Sequence, residues 1–418
     1  MEIVGVVGHV VQSLILLVVD LRQELATSIS EPRLLQITRL DSFIYLNTIS
    51  TYQDCTVRSI STCSPSMHDM LSGITENLSA LVARRFTAAK QSGALVVSQT
   101  EVTTISASNT PFQLRYCPAL AKKPINNPPK ALEHIPSDIK RDPFHDPPED
   151  LLIAQFPQPD PSYILVLNKF PVISDHFILA TKGYKPQSDL LEKEDLQATF
   201  QCLKAWQKHE GPPGSKRLFA FFNSGEHSGA SQPHRHIQFL PVERIAQPND
   251  ETWKPLIDGN SSSAAKNFDH PSSFGLPFAC YAVNLPAEPS AEELHNLYLQ
   301  LYRMAVKVAQ QSPVSQLNAV DPMNLKTDGP AAISYNLAMT TSRMMICPRK
   351  SEFTWLPIDP KHRNETLEAG LVKLNGTILA GTLMVKAAVE WDVLRDQPDS
   401  LESVLEAIGF PDPFVSRC

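Results

Sequence analysis

The order of strand and helix patterns predicts an α+β protein in two units. Between Tyr163 and Leu240 the patterns run strand, strand, helix, strand, loop, strand, which gives a sheet with a helix packed on one face. After Phe274 a second α+β unit follows, with strand, long helix, hairpin and closing helix. The most telling element is the strand built on His234-Arg235-His236-Ile237-Gln238-Phe239-Leu240. A strand has a side-chain period of two, so His234, His236 and Gln238 share one face while Ile237 and Phe239 turn toward a core.

Composition sets outer limits. The chain has 418 residues, enough for two domains, with 42% hydrophobic and 19% charged residues and a net charge of −7. No basic excess points to nucleic acid, so a polyanionic ligand must be met by locally placed donors. Seven cysteines are odd in number and include no CxxC pair, which fits reduced thiols inside a cell better than disulfides or a zinc site.

Residues 1–66 read as an atypical extension outside the native fold. Ile3 to Val19 are almost wholly apolar, but Glu2 stands where a signal peptide has basic residues, and the run is marginal for crossing a bilayer. A membrane anchor is the competing reading; in the favoured one no membrane is involved, and Met67 is an alternative start.

Residues 67–273 form the first unit. Leu71, Ile74, Leu78, Leu81 and Val82 give a helical stripe from Met67 to about Lys90. A proline-rich tract from Pro118 to Pro161 reads as an extended connector. Tyr163 to Leu167 and His176 to Thr181 are strands joined through Asn168-Lys169-Phe170-Pro171. Glu194 to Lys208 is a helix, Arg217 to Asn223 a strand, and Ser224 to Pro233 the loop that delivers the histidine strand. Gln247 to Ser273 is polar and reads as a boundary. In residues 274–418, Phe278 to Leu285 is a strand, and Ser290-Ala291-Glu292-Glu293 is a capping box opening the clearest helix. Ser334 to Thr341 and Met344 to Cys347 form a hairpin, and Leu401 to Ile408 is a helix stopped by Gly409 and Pro411.

Two histidines alternating on a strand can bind a metal, act covalently, or alternate by chance. A metal site of the cupin kind wants a glutamate soon after the second histidine, and Leu240 and Pro241 cannot ligate while Glu243 comes too late. Covalent catalysis fits better, because neutral imidazole is a competent nucleophile toward phosphorus without a separate strong base. His236 sits mid-row, His234 can orient it, and Gln238 can hold a phosphate oxygen but cannot protonate a leaving group. The Ser/Gly-rich stretch before the strand offers backbone N–H groups to an anion.

Asn223 through Leu240 resembles the histidine-triad superfamily, in the branch where glutamine replaces the last histidine, that of nucleotidyltransferases. Further blocks are similar to the fungal diadenosine tetraphosphate phosphorylases (ATP adenylyltransferases): Tyr116-Cys117-Pro118 with Lys123, Leu165 to Val172 with His176, Ser334-Tyr335-Asn336-Leu337, Cys347-Pro348-Arg349 and Gly409-Phe410-Pro411. The resemblance spans Met67 to Pro411. It implies a histidine-triad-like antiparallel sheet and a C-terminal ATP adenylyltransferase domain. It also implies phosphorolysis of diadenosine tetraphosphate to ATP and ADP through adenylyl-His236, with net retention at phosphorus, and the reverse reaction and ADP sulfurylase activity as lesser expectations.

Carried over by resemblance, Lys123, Asn168 and Lys169 contact the polyphosphate; Asn223, Gly229, Ala230, Ser231 and Gln232 form the anion loop; Ser334, Tyr335 and Asn336 add contacts. Thr341 stands where some relatives carry lysine, and Pro233 where they carry an acid. The implied partners are a nucleotide and inorganic phosphate. No covalent cofactor is implied, a divalent cation such as magnesium being able to accompany the nucleotide. The implied location is cytoplasmic, with a nuclear one as an addition. A hexose-1-phosphate uridylyltransferase and a non-catalytic nucleotide sensor are the competing functions.

Overall fold

The computed structural model describes residues 70–122, 142–208, 216–247, 250, 252–259, 276–312, 324–358, 368–397 and 399–413. The N-terminal extension, most of the Gln247 to Ser273 boundary and Lys123 lie outside these residues.

The chain runs helix α1 (Leu78–Ser92), hairpin β1 (Glu101–Ala107) and β2 (Thr110–Tyr116), then β3 (Leu152–Phe156), β4 (Tyr163–Leu167), β5 (Phe177–Thr181), α2 (Lys193–Gln207), β6 (Leu218–Ser224) and β7 (His236–Pro241). Beyond residue 274 come β8 (Tyr281–Asn284), α3 (Ala291–Gln311), β9 (Ser334–Met339), β10 (Arg343–Arg349), β11 (Phe353–Trp355), β12 (Leu371–Lys373), β13 (Thr382–Val385), α4 (Ala388–Asp396) and α5 (Asp399–Ile408). Eight strands form one sheet in the order β3-β4-β5-β7-β6-β9-β10-β8, antiparallel at every pairing. A smaller sheet, β1-β2-β13, has β13 parallel to β2.

Local sequence explains the strongest elements. Ser290 Oγ accepts the Glu293 N–H at 3.2 Å and Glu293 Oε2 accepts the Ser290 N–H at 2.8 Å, the reciprocal box that starts α3. The first helix is shorter than its stripe, because Asn77 Oδ1 accepts the N–H groups of Ser79 and Ala80 and fixes the start there, leaving Leu71 and Ile74 in a turn ahead of it. The proline-rich tract is not wholly a connector: β3 lies within it, at the sheet edge, where it pairs only with β4 and neighbouring prolines remove no central ladder bond.

The residue 274 division does not separate two bodies. β8, β9 and β10 continue the sheet begun by β3 to β7, with β6 pairing β9 from Ala220↔Met339 to Ser224↔Tyr335. One face of this sheet takes α1, α2 and α3 through Phe86, Phe200, Leu203, Leu294 and Tyr298 against Ile237, Phe239 and Leu337. On the other face, Phe219, Phe221, Ala338 and Met345 pack with the smaller sheet and with α4 and α5, while Phe144 covers Ile164, Val166 and Ala180. Gln238 pairs with Phe221 on one side and Ile178 on the other, so the row of polar residues falls between two apolar patches.

Phe239, fully buried, stacks on Phe177 with centroids 4.8 Å apart. Phe239→Ala is expected to lower stability by about 3–5 kcal/mol in urea unfolding; a loss below about 1 kcal/mol would mean the site strand is not anchored through this core.

Candidate active site

Strand alternation places His236 and Gln238 on the face away from α1–α3, and the hydrogen bonds then fix what each ring can do. His236 Nδ1 lies 2.8 Å from the His234 carbonyl, an acceptor only, so Nδ1 carries the proton and Nε2 keeps its lone pair. The His234 side chain does not hold the His236 ring; its main-chain carbonyl does. The His234 ring instead donates from Nδ1 to Asp142 Oδ2 at 2.7 Å, with Thr181 Oγ1 3.0 Å from its Nε2.

Gln238 is oriented by a second chain of bonds. Asn168 Oδ1 accepts the Phe170 N–H, which directs Asn168 Nδ2 to donate to His176 Nδ1 at 3.1 Å. His176 therefore donates from Nε2 to Gln238 Oε1 at 3.1 Å. The Gln238 amide hydrogens lie on the nitrogen, directed away from that bond. Lys169, on the same turn as Asn168, is exposed, with its ammonium 5.6 Å from the Phe170 ring centroid.

The loop between β6 and β7 is pinned on both sides. At Gly225, φ is 83°, and a Cβ would fall 2.5 Å from Ser334 Oγ; at Gly229, φ is 78°, and a Cβ would fall 2.8 Å from the Leu374 carbonyl oxygen. Both positions need glycine for conformation and for space. Ser334 Oγ accepts the His227 N–H at 3.1 Å, and Asn336 Nδ2 donates to Asn223 Oδ1 and to the Ser228 carbonyl, each at 2.9 Å. Arg349, its basicity pushed down to about 10 by burial, donates to Asn336 Oδ1 and the Leu374 carbonyl. Buried Asn223 Nδ2 has no hydrogen-bond partner among the described residues.

The structure thus brings His234, His236, Gln238, Asn168 and Asn223 into one region, with Gly229 and Ala230 half-buried and Ser231 and Gln232 leading into it. Ser334 and Asn336 reach it as supports for the loop. Tyr335 does not: it alternates to the opposite face, fully buried, with its hydroxyl 2.6 Å from that of Tyr298. Thr341 lies past the far end of β9, where its Oγ1 accepts from Gln207 Nε2 at 3.0 Å. Asp142, Phe144, Thr181 and Gln187 were not singled out from the sequence. They sit in loops or at a strand end, with no motif to mark them, and only the tertiary fold carries them to the histidines. Among the described residues no group of three or more His, Cys, Asp or Glu is arranged to hold a metal ion.

His236 is 2% exposed, and the Phe144 ring lies 5.1 Å from its own. Burial pushes its basicity down to about 4, so the neutral form persists far below neutrality.

Two family models match the chain: the Ap4A phosphorylase N-terminal domain over residues 70–258 and the ATP adenylyltransferase C-terminal domain over residues 274–411. From Saccharomyces cerevisiae, diadenosine 5',5'''-P1,P4-tetraphosphate phosphorylase 2 is 26% identical over 354 residues, covering 81% of this chain and 96% of the relative. Protein APA1 of the same organism is 27% identical over 353 residues with the same coverage. The crystal structure of yeast Ap4A phosphorylase Apa2 in complex with Ap4A superposes with a TM-score of 0.60 at 25% identity, covering 80% of this chain and 98% of that one. The Apa2 complex with AMP gives a TM-score of 0.61. The chain is a nucleotidyltransferase, an α+β enzyme with its histidine row on an antiparallel sheet. Within that class it belongs to the Ap4A phosphorylase family, carrying both of the family's domains.

An unfolded histidine titrates near 6.5, whereas folded His236 titrates near 4. Above about pH 6.5 both states are neutral and the group contributes nothing to the pH dependence. Between 6.5 and 4 the unfolded chain takes up a proton that the folded chain refuses, so stability falls with pH. The stability difference between wild type and His236→Asn should therefore move against wild type from pH 7 to pH 4 in urea titrations. A constant difference would contradict the depressed value.

Proposed function

We propose that this chain phosphorolyses diadenosine tetraphosphate, with inorganic phosphate, to ATP and ADP through an adenylyl-histidine on His236. The observation that carries the reading is the clamped tautomer: Nδ1 is committed to the His234 carbonyl, which leaves Nε2 as the nucleophile. Nε2 attacks the α-phosphorus, the N–P bond forms, and ATP departs as the bond to its terminal phosphate oxygen breaks. Phosphate then attacks the same phosphorus, restoring neutral His236 and giving ADP, with two inversions and net retention.

Gln238, turned by His176, donates to a non-bridging oxygen as charge builds there. Having no proton to give at any ordinary pH, it leaves the departing ATP to go as an anion, which polyphosphate tolerates. Lys169 and Lys123 supply positive charge to the phosphate chain, and the backbone N–H groups of Gly229, Ala230, Ser231 and Gln232 line its path. Asn223 Nδ2 is a further donor for the same anion. A divalent cation such as magnesium enters, in this reading, as part of the nucleotide. The free, buried thiols of Cys117, Cys202, Cys280 and Cys347 support a reducing, cytoplasmic location.

Purified protein should consume diadenosine tetraphosphate only when phosphate is supplied, releasing ATP and ADP in equal amounts on a nucleotide column. Equal consumption in phosphate-free buffer would replace phosphorolysis by hydrolysis, and labelling by UDP-hexose in place of the dinucleotide would replace it by uridylyl transfer. Tight binding without products would leave a nucleotide sensor. His236→Ala should yield no adenylylated protein by mass spectrometry. Gln238→Ala should lower kcat by about 10²–10³-fold, the usual effect of removing one preorganised donor; an unchanged kcat would take Gln238 out of the reacting centre.

A further inference from the structure

Resting on that reading of the site, we propose that Gln187 is a positioning residue that sets the place of the nucleophile by substituting for a missing strand partner. β6 and β7 pair from Leu218↔Pro241 to Phe221↔Gln238 and then stop. Two further steps of the same register would set Asn223 opposite His236. Instead the Gln187 side-chain amide occupies that place. Its Oε1 accepts the His236 N–H at 2.7 Å, and its Nε2 donates to the Asn223 carbonyl at 2.8 Å and to the His236 carbonyl at 3.2 Å. A primary amide offers the donor and acceptor set of a peptide group, so one side chain satisfies both strands where their ladder ends.

The direction of the neighbouring bonds agrees. The Arg235 carbonyl accepts the Thr181 N–H on the β5 side, so the main chain of the next residue, His236, faces β6, where Gln187 lies. Gln187 is itself fixed: it is 4% exposed, its N–H donates to the Pro233 carbonyl at 2.8 Å, and the Arg235 N–H donates to the Lys185 carbonyl at 2.8 Å. The segment 185–187 therefore holds the strand at Pro233, Arg235 and His236 in turn.

The splay has a use at the reacting centre. With Asn223 and His236 held apart by an amide, β6 and β7 diverge where the loop of residues 224–233 leaves one strand and returns to the other. The same amide keeps His236 from drifting into the gap. Because Gln187 grips only main chain, it acts on where the ring sits and not on its charge or tautomer.

The test compares Gln187→Glu, which keeps size and the acceptor but loses both donors, and Gln187→Met, which keeps volume and loses all three bonds. Nucleotide Kd and the single-turnover rate of His236 adenylylation are measured with wild type alongside. The expected result is a rate about 100-fold lower, the scale of a misplacement near 1 Å, with Kd changed less than threefold and cooperative unfolding retained. A rate within threefold of wild type in a folded variant overturns the proposal, as does a loss carried by Kd alone. Absence of adenylylation in wild type would instead refute the functional reading. Should neither variant fold, amide hydrogen exchange in wild type decides: the His236 N–H should be as protected as that of Phe239, and fast exchange overturns the assignment.

Discussion

The hydrogen bond from His236 Nδ1 to the carbonyl of His234 joins the first residue of β7 to the segment that leads into it, and the rest of the site is organised around keeping that strand still. With one nitrogen committed, the ring has a single lone pair, on Nε2. Burial then keeps that lone pair unprotonated, since a charged ring would have to be desolvated between apolar neighbours such as Phe144. Polarity is supplied at the edges of the ring and withheld from its faces.

Holding the strand from behind falls to charged groups that have no direct part in the chemistry. Arg235, whose side chain alternates to the helical face, donates to Asp195 Oδ2 at 2.7 Å and Glu192 Oε1 at 2.9 Å at the start of α2. Tyr163 donates to the second Asp195 oxygen at 2.8 Å, and Lys185 donates to Glu192 Oε2 at 2.7 Å. Asp195 and Arg235 are nearly inaccessible, so each charge depends on the others, and losing one would leave an uncompensated ion in the core. The strand is thereby fastened through Ile237 and Phe239 by apolar packing, through Arg235 by charge and through Gln187 by an amide.

Much of this was legible in the sequence where chemistry and period coincide. His234-x-His236-x-Gln238 defined a face, and the Ser290 box and the Ile237 and Phe239 alternation placed a helix and a core correctly, because each rests on contacts within a few residues. Tyr335 shows the limit: a block that resembles a binding motif still alternates, and one of its three residues must face away. The β1–β2 hairpin passed unread although Ser108 and Asn109 make its turn with positive φ, and α4 was missed beside the clearer α5. Asp142, Gln187 and Thr181 join the site only through tertiary contacts that span 36 to 92 residues. No local pattern encodes those.

The passage of the main sheet across residue 274 bears on how the two family domains can be handled. β6 lends its outer edge to β9, and it carries Leu218-Phe219-Ala220-Phe221-Phe222 as a continuous buried run. Cut at the family boundary, the N-terminal half would present that run as a bare, apolar edge with no charge or proline to discourage pairing. Such a half would be driven to self-association, and it would also lose Ser334, Asn336 and Arg349, the anchors of the loop beside His236. The two domain names thus describe a history of sequence, while solubility and reactivity belong to the joined sheet.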